Sequence, residues 1–333
     1  MNNFQSKVYS KIMLEPVMNR RIIYLLDAAV APAGGFAVIY KHVEILSEHG
    51  FNAFVGLARM PDIDFYKSRA PILIHNDNII AQKGDIYVIP EPFQNYMEAL
   101  KSAPCKKIMF CQNHYYLPFS GNYNLGFSEF SVDSVLISSQ SIASYLGSVY
   151  GLKNLPLIPY SIDNKFFPSA NKLRQIAYMP RKLPDEAKFI QASFKRLFKE
   201  FQDIPWVSIH GVSTDIAAKI LSESAFFLSL SHRESFGLPP LEAMASGCLV
   251  AGFHGDGGRE YMHRNNGWWA DPGDWQACVN GLASAVRVFD ERGAAFSKIQ
   301  SEMAATVSRY QPEQMKHELL KFWTTEIQTH VRR

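Results

Sequence analysis

Two glutamates, Glu234 and Glu242, flank a short apolar turn in the stretch SHRESFGLPPLEAMASGCLVAG, with seven residues between them. Carboxylates accept hydrogen bonds from hydroxyl groups, which are the groups that sugars offer. The turn itself begins with Ser235, Phe236, Gly237 and Leu238. If a helix begins at this turn, the backbone N–H groups of the turn bind anions and suit a diphosphate. The glutamates and the turn together predict a site for a ligand with both hydroxyl and phosphate groups.

The elements that must position the two glutamates are a buried strand and the helix after it. The apolar run SAFFLSLS predicts a strand that ends at Ser231, which leaves Glu234 in the loop at its carboxyl end. The Pro-Pro pair suits the first turn of a helix, where a missing N–H group costs nothing, so Glu242 falls in that turn. Gly247 suits the end of the helix. The alternative is that Glu242 only complements the helix dipole and Glu234 caps a turn.

Strands and helices alternate along the whole chain, which is typical of βαβ units and of parallel sheets covered on both faces. The stretch LPLIPYSIDNKFFPSA is rich in Pro, Asn and Ser, and we place a domain boundary there. The predicted fold is α/β, with Rossmann-like doubly wound domains at 1–160 and 161–310 that face a cleft. A terminal helix at 311–333 is expected to cross back to the first domain. Ligands bind such sheets beyond the carboxyl ends of the strands.

Composition excludes several classes of function. The 333 residues carry a net charge of +3, and no Lys/Arg cluster is long enough to follow a nucleic acid backbone. The modest basic excess permits contact with an anionic ligand or with the surface of an anionic membrane. Because 47% of the residues are hydrophobic, the chain can bury a sizeable core. We expect no nucleic acid partner.

Cysteine usage and hydropathy indicate a cytoplasmic protein. The 4 cysteines all lie in apolar contexts and form no C-x-x-C pair, so we interpret them as reduced core residues. No apolar run reaches the roughly 18 residues that a membrane span needs. The N-terminal stretch MNNFQSKVYSKIMLEPVMNR lacks the apolar centre of a signal peptide. We expect a cytoplasmic location, which leaves peripheral contact with the inner membrane face open.

The stretch from Glu234 to Gly247, ESFGLPPLEAMASG, resembles a family signature. It is similar to the E-x-F-G-hydrophobic-P-x-hydrophobic-E-A-M-A-x-G motif of retaining nucleotide-sugar glycosyltransferases with the GT-B fold, family 4 (glycosyl transferases group 1). Further similarity lies in IPYSIDNKFFP, GDGGREYM and NNGWWADPGDW. The C-terminal half is covered densely, and the N-terminal half by its pattern and one loop. The resemblance implies that Glu242 binds the ribose hydroxyls of the donor and that Glu234 lies beside the transferred sugar.

The resemblance also implies the residues that hold the donor phosphates. The backbone N–H groups of the turn after Glu234 would hold the sugar and the diphosphate. Gly34 and Gly35, after the first strand, match the glycine loop of the family, although any βα turn can carry such a pair. The chain lacks G-x-G-x-x-G, which argues against a nicotinamide enzyme.

The family places an Arg after the first strand of the second domain and a Lys about five residues later, both on the donor diphosphate. Arg181 matches, but the residue five positions on is a glutamate. Lys182 is adjacent and Lys188 is displaced by two residues, so either lysine could serve. Two cations beside a leaving diphosphate would neutralise developing charge without a metal. The alternative is that Arg181 and Lys182 are solvated loop charges.

Three histidines follow predicted strands. Family members often have a His near the position of His114 that touches the donor sugar, and the alternative for His114 is a core or cleft-edge residue. The neighbouring Gln112 and Asn113 are weaker candidates. His210 is expected to be structural, and the role of His232 stays open.

Neither a metal nor another cofactor is expected. Asp62 and Asp64 form a D-x-D pattern, but this pattern binds metal only where it ends a strand beside a donor site, and here it lies in an apparent loop. No His/Cys group has the spacing of metal ligands. The nucleotide sugar would be a substrate.

The activity that the resemblance implies is transfer of a sugar from a nucleoside-diphosphate sugar to an acceptor hydroxyl, with retention of the anomeric configuration. A saccharide or a lipid-linked acceptor and a role in glycan or polysaccharide biosynthesis follow from the same resemblance. Two alternatives stay open. One is a GT-B relative with another nucleotide-sugar reaction, such as an epimerase or a phosphorylase. The other is a non-catalytic protein that binds a nucleotide sugar.

Overall fold

The structure is a computed structural model, and it describes residues 20–27, 34–119 and 132–329. The described residues divide into two compact units. The first unit takes the chain up to Ser138, Ile142–Ile158 and the residues from Met315 onward. The second unit takes Ser139–Ser141 and Pro159–Gln314. The segments predicted from sequence, 1–160, 161–310 and 311–333, stay a prediction about domain boundaries.

The described residues of the first unit form a six-stranded sheet in the order β3-β2-β1-β4-β5-β6, with parallel pairing throughout. This order is that of the Rossmann fold. The strands are β1 (Ile22–Leu26), β2 (Ala53–Leu57), β3 (Ile72–Ile74), β4 (Ile86–Pro90), β5 (Lys106–Cys111) and β6 (Ser134–Ile137). The helices are α1 (Gly34–Glu48), α2 (Gln94–Ala99) and α3 (Gln140–Tyr150).

The first sheet is buried on both faces, as its sequence predicts. All residues of β1 and β4 are buried, in the continuous apolar runs IIYLL and IYVIP. Because successive side chains of a strand point to opposite faces, Tyr24 joins one core cluster and Ile23 and Leu25 join another. Helices must therefore cover both faces of this sheet.

The described residues of the second unit form a five-stranded sheet in the order β11-β10-β9-β7-β8, again with parallel pairing. The strands are β7 (Leu173–Tyr178), β8 (Trp206–Ser208), β9 (Ser224–Glu234), β10 (Leu249–Asp256) and β11 (Trp268–Ala270). The helices are α4 (Pro184–Leu197), α5 (Thr214–Glu223), α6 (Leu238–Ala245), α7 (Trp275–Glu291) and α8 (Ala294–Val307). Strand β9 is central, so the loop after it lies at the middle of the carboxyl edge of the sheet.

The terminal helix α9 (Pro312–Thr329) packs on the core of the first unit. Its buried residues recur every four positions, which places them on one face of a helix: Met315, Leu319, Trp323 and Ile327. The indole N–H of Trp323 donates to the hydroxyl of Tyr24 at 3.1 Å. An ion pair joins Lys106 to Glu326. The predicted α/β architecture with two parallel sheets is confirmed.

Candidate donor-binding site

The carboxyl end of β9 lies later in the chain than the sequence predicts. The prediction that the strand ends at Ser231 is wrong, because β9 continues to Glu234. Strand β10 runs beside this extension and pairs Asp256 with Glu234 after a local shift of register. Arg233 has a φ of 48°, in the left-handed region, so the last part of the strand is irregular. Glu234 is therefore held by the sheet itself, at its carboxyl edge.

Glycines in GDGGREYM let the 3-10 turn after β10 lie against the loop that follows β9. A Cβ atom at Gly257 would clash with the carbonyl group of Ser235. A Cβ atom at Gly255 would lie 2.7 Å from the Cβ atom of Ser231. Only glycine allows two backbones to approach this closely. The motif thus supports the loop, a role that the sequence similarity alone does not reveal.

Two side-chain hydroxyls hold carbonyl groups of the same loop. Ser139 donates to the carbonyl of Ser235 at 2.8 Å, and Tyr261 donates to the carbonyl of Gly237. Gly237 has a φ of 87° and is the N-cap of α6, a backbone conformation that would strain a residue with a side chain. These contacts fix the path of the loop from inside the unit.

The N–H groups of the loop are the ones that the sequence assigns to the donor. In the described part of the chain, the N–H groups of Phe236, Gly237 and Leu238 have no hydrogen-bond partner. The next two residues are prolines and carry no N–H group. Unpaired N–H groups at the start of a helix carry partial positive charge, so this loop can accept an anion.

Glu234 is paired with a lysine of the neighbouring loop. The Nζ atom of Lys182 lies 2.6 Å from Oε1 of Glu234, and both side chains are about one quarter exposed, at 25% and 24%. Lys182 and Arg181 follow β7, which lies next to β9 in the sheet. Lys188 instead lies on α4, highly exposed, 3.4 Å from Asp185. Of the two lysines that the sequence offers, Lys182 is therefore the one beside Glu234.

Glu242 lies deeper in α6 than predicted. The prediction that it falls in the first turn is wrong, because the helix begins at Leu238 and Glu242 is its fifth residue. Burial, together with the negative charge of Asp163, raises the pKa of Glu242 to about 7, and Lys165 opposes this shift. Its carboxylate makes no hydrogen bond with any described residue. A carboxyl group without partners in the protein accepts hydrogen bonds from hydroxyl groups of a ligand. Because Glu242 lies beyond the first turn of α6, the helix dipole does not explain its position.

The glycine pair of the first unit opens α1, and it contacts the loop after β5. Gly34 is the first residue of the helix, and the preceding residues 28–33 lie outside the described part of the chain. The side-chain amide of Gln112 donates to the carbonyl of Gly35 at 3.2 Å. A Cβ atom at Gly35 would lie 3.4 Å from that amide. A side chain at this position would therefore make only ordinary van der Waals contact with Gln112, and this contact does not require a glycine.

His114 begins a 3-10 turn, His114–Phe119, directly after β5. Its ring is buried and stacks on Tyr145 at a centroid distance of 4.5 Å. The structure therefore places His114 at the carboxyl edge of the first sheet.

Glu91 is a residue of this edge that sequence reasoning missed. Its carboxylate accepts the backbone N–H groups of Gln112 at 3.1 Å and of Asn113 at 2.9 Å. Burial raises the pKa of Glu91 to about 7 although these hydrogen bonds oppose the shift. An acidic residue directly after the buried run IYVIP was the available signal.

The remaining candidates lie away from these contacts. His210 is exposed after β8, next to Gly211, which has a φ of 66°. Asp64 accepts the N–H groups of Tyr66 and Lys67 and so closes a turn. Among the described side chains, no group of three or more His, Cys, Asp or Glu could hold a metal ion. None of the helices in the described ranges is both long and apolar enough to cross a membrane.

Comparisons with known proteins agree with the geometry. The family model "Glycosyl transferases group 1" matches residues 207–294, a span that contains β9, its loop and α6. An alpha-1,6-glucosyltransferase of Actinobacillus pleuropneumoniae serotype 7 is 28% identical over 301 residues, which cover 87% of this chain and 90% of that protein.

Solved structures show the same fold at low sequence identity. A sucrose-phosphate synthase from Thermosynechococcus elongatus is 13% identical with a TM-score of 0.71, and covers 93% of this chain and 100% of its own. Anabaena Alr3699/HepE in complex with UDP and glucose is 13% identical with a TM-score of 0.68, over 92% and 100% of the two chains. The chain is a glycosyltransferase of the GT-B fold, and its residues 207–294 match the glycosyl transferases group 1 model.

Proposed function

We propose that this chain transfers glucose from UDP-glucose to a hydroxyl group of a saccharide acceptor, with retention of the anomeric configuration. The observation that carries the proposal is the loop after β9, where the N–H groups of Phe236, Gly237 and Leu238 have no partner among the described residues and follow Glu234, which pairs with Lys182. Several proteins of the same fold were solved with UDP, and the relative from Actinobacillus pleuropneumoniae is an alpha-1,6-glucosyltransferase. The similarity to these proteins supports uridine as the base, glucose as the sugar and an α-1,6 linkage.

Each group of the site has a role in this proposal. The diphosphate lies on the N–H groups of Phe236, Gly237 and Leu238, with Arg181 and Lys182 as cations. The carboxylate of Glu242 accepts the ribose hydroxyls. Glu234, relieved of Lys182 when that lysine turns to the diphosphate, accepts hydroxyl groups of the glucose.

In the transfer step, the bond between the anomeric carbon and the β-phosphate oxygen breaks as UDP leaves. The acceptor oxygen forms the new bond on the same face of the sugar, and its proton passes to an oxygen of the leaving diphosphate. Glu234 and Glu242 bind and orient the donor, and neither acts as nucleophile or general acid. Fixed N–H groups and cations stabilise the developing charge on the diphosphate, which lowers the barrier.

The first unit would supply the acceptor side of the reaction. We assign Gly34 and Gly35 to the donor phosphates and His114 to the glucose. The acceptor is then a free or lipid-linked saccharide, and the reaction belongs to glycan or polysaccharide biosynthesis in the cytoplasm or at the inner face of a membrane.

The activity is tested by incubating the purified chain with UDP-, GDP-, ADP- and dTDP-glucose and a panel of saccharide acceptors. We expect UDP-glucose alone to stabilise the chain, by roughly 2–4 kcal/mol at 100–1,000 times its dissociation constant. NMR of the product should show an α anomeric proton. A β product, or transfer from GDP- or ADP-glucose in preference to UDP-glucose, would contradict the proposal. A Glu234→Ala control separates an enzyme from a binding protein, since only an enzyme loses turnover.

We also propose that the reaction needs no metal, because Arg181 and Lys182 neutralise the charge on the diphosphate. Activity should therefore persist in EDTA at the level seen with Mg²⁺ or Mn²⁺. A loss of activity in EDTA that either ion restores would overturn this part of the proposal.

A further inference from the structure

Tyr261 is a fully buried tyrosine whose ring packs against Phe236 of the loop after β9. Its exposed fraction is 1%, and its ring contacts Phe236 at a centroid distance of 5.0 Å and Tyr310 at 6.0 Å. Its hydroxyl donates to the carbonyl of Gly237, the N-cap residue of α6. The side chain thus reaches from the 3-10 turn after β10 to the loop after β9.

A hydrogen bond to the carbonyl of Gly237 also orients the next N–H group. In a trans peptide the C=O and N–H groups lie in one plane and point in opposite directions. None of the described peptide bonds is cis. Because the carbonyl of Gly237 points inward to Tyr261, the N–H group of Leu238 must point outward. Leu238 is one of the three residues assigned to the donor.

The position of Tyr261 is itself fixed by a buried asparagine. The Nδ2 atom of Asn266 donates to the carbonyl of Tyr261 at 2.8 Å and to Oγ1 of Thr306 at 2.9 Å. The Oδ1 atom of Asn266 accepts the indole N–H of Trp269 at 3.0 Å. With both ends of its amide occupied, Asn266 holds one orientation, and so does the backbone of Tyr261.

The Tyr261 phenol is protonated at neutral pH. Burial raises the pKa of Tyr261 well above its usual value, and nearby Tyr310 and Glu234 raise it further. At neutral pH such a phenol has a proton to donate to the carbonyl of Gly237.

From this geometry we infer that Tyr261 is a positioning residue of the transfer reaction, which holds the Gly237–Leu238 peptide so that the Leu238 N–H faces the diphosphate of the donor. The inference rests on the proposed function. Tyr261 does not touch the substrate. It acts through the loop, and its effect should grow as negative charge develops on the leaving group.

Tyr261→Phe tests the inference because it removes the hydroxyl and keeps the ring. The matched control is Tyr310→Phe, since Tyr310 belongs to the same ring cluster and its hydroxyl makes no hydrogen bond to the loop in the described part of the chain. We expect Tyr261→Phe to lower kcat/KM for UDP-glucose about tenfold and to weaken UDP binding about fivefold, by loss of one oriented donor. Tyr310→Phe should leave both values within about twofold.

A structural role alone would lower Tm and leave the kinetics of the folded fraction unchanged, so Tm and kinetics are measured on the same samples. Placing p-aminophenylalanine at position 261 restores an N–H donor at the same point of the ring, and it should recover most of the loss. This variant also serves if Tyr261→Phe does not fold.

The outcomes separate the two proposals. If the wild type binds UDP and transfers glucose, and Tyr261→Phe matches it within twofold on both measures, the inference about Tyr261 is wrong and the proposed function stands. The inference is equally wrong if p-aminophenylalanine fails to recover the loss. If the wild type neither binds UDP nor transfers glucose, the proposed function fails and takes this inference with it.

Discussion

The loop after β5 in the first unit and the loop after β9 in the second both follow a buried parallel strand, yet they use their backbone N–H groups in opposite ways. In the first unit, the N–H groups of Gln112 and Asn113 are occupied by the carboxylate of Glu91. In the second unit, the N–H groups of Phe236, Gly237 and Leu238 have no hydrogen-bond partner among the described residues, and hydroxyls hold carbonyls of this loop instead. One loop is satisfied within the protein, and the other is left able to bind an anion.

The comparison shows that a shifted pKa alone does not identify a binding residue. Burial raises the pKa of both Glu91 and Glu242 to about 7. Glu91 already accepts two N–H groups, whereas Glu242 makes no hydrogen bond with a described residue. The lesson is to ask which partners a buried carboxyl group has, since an unmet capacity for hydrogen bonds indicates a ligand.

The largest expected effect in this comparison concerns Lys182, the cation beside the loop after β9. Lys182→Ala should lower kcat/KM for UDP-glucose about 100-fold, because the diphosphate loses a cation and Glu234 loses its partner. Lys188→Ala is the matched control and should change kcat/KM less than twofold, since Lys188 is exposed on α4. Steady-state kinetics decide between the two lysines, and a larger loss in Lys188→Ala would reverse the assignment.

Glu242 should show the next largest effect, on donor affinity. Glu242→Gln should raise KM for UDP-glucose about tenfold, since a neutral amide oxygen accepts hydroxyl hydrogen bonds less strongly than a carboxylate. For the wild type, UDP-glucose that lacks the ribose 2′-hydroxyl should have a KM about tenfold higher than UDP-glucose. For Glu242→Gln, removing this hydroxyl should raise KM little further. If the two losses multiply, Glu242 does not contact that hydroxyl.

Removing the carboxylates of Glu242 and Glu91 should change the stability of the fold in opposite directions. Glu242 has an ordinary pKa of 4.5 and a folded pKa of about 7, so the stability from its protonated form is full below 4.5 and is lost as pH rises through about 7. At pH 8, Glu242→Gln should therefore stabilise the fold by about 1 kcal/mol, a value reduced for partial exposure.

Glu91→Gln should instead destabilise the fold at pH 8 by about 1 kcal/mol or more, since an amide offers one acceptor oxygen to two N–H groups. Urea unfolding of both variants and the wild type at pH 5 and pH 8 measures these differences. If both variants changed the free energy of unfolding in the same direction at pH 8, the distinction between the two carboxyl groups would be wrong.

Much of the structure around the loop after β9 could be predicted from the sequence. The apolar run, the Pro-Pro pair and Gly247 predict a strand, a turn and a helix, and that order is what the structure shows. The end of β9 could not be predicted, because it depends on pairing with β10 and on the positive φ values of Arg233 and Asp256. The choice of Lys182 over Lys188 also needed side-chain positions, since both lie at plausible spacings.

The loop after β5 was harder to predict, because no sequence motif marks the hydrogen bonds between its N–H groups and Glu91. Glu91 is one acidic residue after an apolar strand, and nothing nearby in the sequence indicates that it binds N–H groups 21 and 22 positions later. Tyr261 is similar, since its hydrogen bond to Gly237 joins elements 24 residues apart. Contacts of this kind are set by strand order in the sheet, which local patterns do not encode.

The smallest expected effect tests whether the loop after β5 takes part in nucleoside binding. Glu91→Gln disturbs the loop after β5 but leaves Glu242 and the loop after β9 unchanged, so UMP should bind within about twofold of the wild-type affinity. UMP is a sharper probe than UDP, because it carries only one of the two phosphates that Gly34 and Gly35 are proposed to contact. Calorimetry at a temperature where both proteins are folded gives the comparison. A tenfold weaker UMP affinity would mean that the first unit takes part in nucleoside binding and that the contrast between the two loops does not separate their functions.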